Sequence, residues 1–94
     1  MNAIYMLKGI ELNVKDRFGI KSIGIFGSFA RGEERSDSDL DVLVDFEEGK
    51  KTFDNYMDLK FYLEEFFGRK VDLVTVNALR PQLKTAILSE TVYA

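Results

Sequence analysis

Apolar residues recur along this chain at two different periods. From residue 3 to 18, Ile4, Leu7, Ile10, Val14 and Phe18 return every three or four positions, the spacing of one helix face, and Gly19 follows as a stop. Gly9 weakens that helix without breaking it. The period then shortens. Residues 22–26, Ser-Ile-Gly-Ile-Phe, read as a short strand that Gly27 breaks. Residues 28–38 are polar and carry Gly32, which predicts a loop containing a short helical turn. Residues 40–46, Leu-Asp-Val-Leu-Val-Asp-Phe, are a β-rich run. The clearest helix spans 53–67, where Phe53, Tyr56, Leu59, Leu63, Phe66 and Phe67 share one broad stripe. Thr52 is placed to cap its start and Gly68 to end it. Residues 71–76 predict a third strand, and Pro81 suits the first turn of a last helix in which Leu83, Ala86 and Ile87 recur. The expected fold is α/β (α+β): a small mixed three-stranded sheet flanked by helices, in the order helix, strand, short helical turn, strand, helix, strand, helix.

Connection lengths restrict how these strands pair. A helix of about fifteen residues joins the second strand to the third, which usually makes parallel neighbours with a right-handed crossover. A short loop joins the first strand to the second, which favours an antiparallel pair. The end of the first strand and the starts of the other two then meet at one edge. That edge carries Gly27, Ser28, Asp39, Asp41 and Asp72.

Each of these residues has an ordinary reading and a chemical one. Gly-Ser after a strand is often a plain turn; it also lets backbone approach a ligand closely, with N–H groups and a hydroxyl ready for an anion. Asp39 and Asp41 stand two apart, so on a strand they face the same way while Leu40 faces the other. Such a pair can simply be a solvated strand start. Two adjacent anions otherwise ask for a cation, and oxygen ligands suit magnesium. Asp72 is either a surface aspartate or a third carboxylate, able to take the proton of an attacking hydroxyl and to touch a metal. Convergence at one edge favours the chemical reading, and the chemistry it suits is nucleotidyl transfer. Arg31 is expected to meet a phosphate, the other reading being an ion pair with Glu33, Glu34 or Asp37. Arg35 is expected to be solvated or ion-paired, Asp37 to cap a turn, and Asp45, near the far end of its strand, to be structural.

Composition narrows the chemistry further. There is no cysteine and no histidine, which removes disulfides, thiol catalysis, histidine acid–base chemistry and most zinc sites. The net charge is −3, with 13 basic and 16 acidic residues and no long basic run, so general nucleic-acid binding has no support. Ninety-four residues suit one domain, 1–94, of marginal size. Eight Phe and four Tyr are many for that length, and some of them could mark a partner surface. No stretch has the ~20 apolar residues of a membrane span and the start does not read as a signal peptide, so a cytoplasmic location is expected.

The run Gly27-Ser28, ten residues, Asp39, one residue, Asp41 resembles the G-S-x10-D-x-D signature of the DNA polymerase β-type nucleotidyltransferase superfamily. The fuller stretch 27–44, with Arg31-Gly32 and Ser36-Asp37-Ser38-Asp39, is similar to its smallest branch, the MNT-type minimal nucleotidyltransferases. Detailed similarity covers about residues 22–46, and Asp72 fits the third acidic position. The resemblance implies a nucleotidyltransferase fold, magnesium, and ATP as donor. It implies Asp39, Asp41 and Asp72 as metal ligands and catalytic carboxylates, and Gly27 and Ser28 on the triphosphate. Minimal members are commonly antitoxins of HEPN-type toxin proteins, and some transfer AMP to a toxin tyrosine.

Three functions follow as expectations. The first is magnesium-dependent transfer of AMP from ATP to a hydroxyl of a partner protein, a HEPN-type toxin. The second is a nucleotide-binding antitoxin that acts by docking alone. The third is a small-molecule nucleotidyltransferase of the antibiotic-modifying kind. Acceptor, base preference and homo-oligomer formation stay open.

Overall fold

The computed structural model describes residues 2–94. The chain runs α1 (Ala3–Phe18), β1 (Ile20–Phe26), α2 (Ser28–Arg31), β2 (Leu40–Phe46), α3 (Phe53–Phe67), β3 (Val71–Thr75), a 3-10 turn (Val76–Ala78), α4 (Pro81–Glu90) and β4 (Val92–Tyr93). The helices stop where glycine can turn left-handed: Gly19 has φ 65° after α1, and Gly68 has φ 66° after α3. Thr52 caps α3 by accepting from Asn55 N at 3.2 Å, and Asn2 caps α1 by accepting from Tyr5 N at 3.0 Å.

The sheet is mixed, with strand order β3-β2-β1-β4. β1 and β2 are antiparallel, and β2 and β3 are parallel across the α3 crossover. One expectation is corrected: the sheet has four strands, not three. β4 adds two residues along the free edge of β1, pairing Gly24 with Tyr93 and Ile25 with Val92. Boundaries also shift. β1 begins two residues earlier than expected, at Ile20, and the third strand gives way at Val76 to the 3-10 turn. The early start depends on a register irregularity between Ile20 and Ser22. With it, Ile20 and Ile23, an odd number of residues apart, both reach the same core.

That core lies between one sheet face and the helices α1 and α3. Leu7 and Val14 of α1, Leu59 and Leu63 of α3, and Ile23, Ile25, Leu40, Val42 and Val44 of the sheet are all fully buried. Alternation along β2 therefore sends Leu40, Val42 and Val44 into the core and turns Asp41, Leu43 and Asp45 to the opposite face. α4, by contrast, has no buried residue. Among the described residues, no helix is long and apolar enough to cross a membrane.

Candidate active site

The sheet register assembles the site. Phe26, the last residue of β1, is the Cα partner of Asp41, and Asp41 is in turn the partner of Asp72. The end of one strand and the second residues of two others thus form a single cross-strand row. Asp39 stands two positions before Asp41, immediately outside β2, and is exposed. Asp72 is also exposed, whereas Asp41 is partly buried. Gly27 and Ser28 follow Phe26 directly and start the α2 turn.

Gly27 has a backbone that other residues rarely adopt, φ 74° and ψ −150°. A Cβ there would stand 2.9 Å from Asp41 Cγ and closer still to Oδ2. The Asp41 carboxylate is therefore packed onto the bare Cα of Gly27, and this contact binds the two halves of the motif together. Ala30 N and Arg31 N both donate back to Gly27 O at 3.1 Å, which closes the turn. Gly27 N donates to Glu90 Oε2 at 3.2 Å.

The electrostatics record the same crowding. Partial burial raises the Asp41 carboxyl from 3.8 to about 6, and the neighbouring charges of Asp72 and Asp39 push it the same way. Arg31 pulls in the opposite direction and Glu90 adds to the rise. A carboxylate oxygen set on one rim, with no nitrogen or sulfur donor, is the donor chemistry that a hard divalent cation prefers. Among the described residues, no group of three or more acidic side chains is placed to hold a metal ion.

Arg31 sits at the rim as an exposed cation. Its Nε donates to Glu33 Oε1 and its Nη1 to Glu90 Oε1, each at 2.8 Å. Those bonds raise the guanidinium above its ordinary value, Glu33 first and Glu90 second. The partner Glu33 is the ion pair weighed from the sequence; Glu90 is not. Arg35 is exposed. The turn before Asp39 is closed by Ser38 rather than by Asp37: Arg35 N donates to Ser38 Oγ at 2.8 Å, and Ser38 N donates to Arg35 O at 3.1 Å. Asp45 lies on the Asp41 face near the other end of β2, away from the rim.

Two residues that matter here escaped the sequence reading. Arg69 Nη1 donates to Ser38 O at 2.9 Å, and its guanidinium lies 4.8 Å from the centre of the Phe29 ring. One side chain thus ties the approach to Asp39 to the α2 turn, while Leu40 N, donating to Lys70 O at 3.0 Å, joins the start of β2 to the approach to β3. The available signal was an arginine directly after the Gly68 helix stop and just before the Asp72 strand. Glu90 is 63 residues from Gly27, and nothing local marks it.

Comparison with known proteins agrees with this geometry. The nucleotidyltransferase domain family matches residues 7–94. The protein adenylyltransferase MntA of Thermococcus cleftensis is 44% identical over 88 residues, covering 94% of this chain and 88% of that protein. A solved structure provisionally described as a minimal nucleotidyltransferase superposes with a TM-score of 0.79 at 40% identity, covering 95% of this chain and 93% of that one. A tri-AMPylated Shewanella oneidensis HEPN toxin in complex with MNT antitoxin shares the fold, with a TM-score of 0.67 at 19% identity over 99% of this chain and 71% of that one. With strand register, motif spacing and family match in agreement, the chain belongs to the nucleotidyltransferase domain family, as a minimal nucleotidyltransferase homologous to the MntA protein adenylyltransferases.

Proposed function

We propose that this enzyme is a magnesium-dependent adenylyltransferase that moves AMP from ATP to a hydroxyl on a partner protein. The observation that carries the reading is the cross-strand row in which Asp41 touches Gly27 on one side and pairs with Asp72 on the other. Asp39 and Asp41 would hold the cation, with Asp72 beside them, and a magnesium ion held there would supply neutralisation of charge on the triphosphate.

The chain's own groups do the rest. Gly27 and Ser28 seat the phosphates against the carboxylates, and Arg31 offers guanidinium donors to the same tail. A carboxylate oxygen of Asp72 accepts the proton of the acceptor hydroxyl. That hydroxyl oxygen bonds to the α-phosphorus, the α–β bridging bond breaks, and pyrophosphate leaves. Fixing donor and acceptor in line removes much of the entropic barrier, which lets so small a scaffold catalyse the step.

A protein acceptor is favoured by exposed rings. Tyr5, Phe53 and Phe61 are all more than half exposed. The HEPN toxin of the Shewanella complex is AMPylated and sits with an MNT antitoxin. By that likeness a HEPN-type toxin is the proposed acceptor here, and this chain its antitoxin.

The test is incubation with ATP labelled on the α-phosphate, magnesium and the protein encoded beside this one. Label should appear on the neighbour and disappear in Asp39→Ala and Asp41→Ala. An inhibited but unlabelled neighbour would show action by docking alone. Label on a small hydroxylated metabolite without any partner protein would show the small-molecule reading.

A further inference from the structure

The donors proposed to meet the triphosphate are already engaged by an internal anion. Glu90, the last residue of α4, accepts from Gly27 N through Oε2 at 3.2 Å and from Arg31 Nη1 through Oε1 at 2.8 Å. A carboxylate that bridges a backbone N–H and a guanidinium offers the same pair of oxygens as a phosphate would. Its charge also lies near enough to Asp41 to add to the crowding already described. Glu90 and a nucleotide tail therefore compete for one set of donors, and a charge at Glu90 opposes the charge of the tail.

The element that carries Glu90 is lightly attached. α4 has no buried residue, Leu83 on it is 50% exposed, and β4 beyond it pairs with β1 over two residues only. Segments with little buried apolar area and few ladder bonds shift at small cost. The ion pair is itself partly solvated, with the Arg31 side chain 48% and the Glu90 side chain 28% exposed, so its rupture costs little.

We propose that Glu90 is an internal phosphate mimic that closes the cradle of the ligand-free enzyme, and that ATP enters by displacing it, which loosens α4 and β4. The inference rests on the reading that the triphosphate binds at Gly27–Arg31. It makes the C-terminal segment, 63 residues from the motif, a reporter of nucleotide occupancy. A merely structural brace predicts the reverse, because a Glu90 that holds Arg31 ready for phosphate would be needed during binding.

Calorimetric titration of magnesium–ATP into the full-length chain and its Glu90→Gln variant separates these. The amide keeps an acceptor for Gly27 N and removes the competing charge. Binding should tighten by about five- to tenfold, as when a binding-competent state populated at ~10–20% is released. Equal or weaker binding in a folded Glu90→Gln protein overturns the proposal. Should that variant fail to fold, hydrogen exchange on the unaltered chain decides. Faster exchange across residues 84–94 with ATP supports displacement, and unchanged or slower exchange overturns it. If the unaltered chain and the variant both ignore ATP, the nucleotide reading itself falls, and displacement with it. If the unaltered chain binds ATP but Glu90→Gln binds no better, only displacement falls.

Discussion

Gly27 and Asp41 constrain each other more tightly than any other pair at the rim. The left-handed φ of Gly27 and the carboxylate lying on its Cα both reject a side chain. Gly27→Ala should cost about 2 kcal/mol or more of stability and abolish ATP binding, read by thermal denaturation and calorimetry. Asp41 also gives the ligand-free protein a pH signature. Its carboxyl is raised from 3.8 to about 6, so between those values the folded form holds a proton that the unfolded chain has lost. The stability this group contributes is full below pH ~4 and is lost as pH rises through ~6. Asp41→Asn should therefore melt higher than the parent at pH 7.5, by about 1 kcal/mol after allowance for solvent screening, and should not differ at pH 4. Asp39 and Asp72 are exposed. Their Asn variants should stay within about 0.5 kcal/mol of the parent, yet Asp39→Asn should lose metal-dependent binding and Asp72→Asn should lose AMP transfer. The nearness of Asp39 to Asp41, two positions apart at the start of β2, was legible in the sequence, and the charge of Asp39 does reach Asp41. The Gly27–Asp41 contact was not legible, because it depends on register between strands.

At the scale of elements, legibility followed amphipathicity. α3 announced itself by its stripe and both its caps, and the structure buries Leu59, Leu63 and Phe67 of that stripe. Leu63→Ala should cost about 2–5 kcal/mol, lowering the melting temperature by roughly 8 °C or more, since Leu63 is fully buried. β4 stayed hidden for the opposite reason: two residues cannot display a period. Its place is recorded instead at Gly24, where a Cβ would lie 2.8 Å from Val92 O and 3.1 Å from Tyr93 Cα. Gly24→Val should push β4 away, seen as faster amide exchange at Ala94, whose N–H donates to Ile23 O at 3.0 Å. Arg69 belongs with β4 among the features that escaped. Its task of joining Ser38 to Phe29 arises only once α2, the Asp39 approach and the start of β3 have come together.

Across the whole molecule, one layer of sheet serves two purposes. Its inner face, with α1 and α3, supplies the core, and alternation along β2 leaves Asp41 on the outer face beside the edge where β1 ends. The parallel β2–β3 pair and the antiparallel β1–β2 pair follow from connection lengths, so the gathering of the five motif residues could be argued before any coordinates. The return of α4 across the rim could not, because it turns on weak contacts that leave no residue of that helix buried. Tyr5, Phe53 and Phe61 are left uncovered, and such exposed rings are what the proposed protein acceptor would have to use. The central claim is that Asp39, Asp41 and Asp72 tolerate one another because a divalent cation and a triphosphate settle between them and Gly27. Titration of ATP into the protein with and without magnesium tests it directly. Binding should need the metal and should be lost in Asp39→Asn and in Asp41→Asn. Binding of equal strength in the presence of chelator, or in either variant, would contradict it.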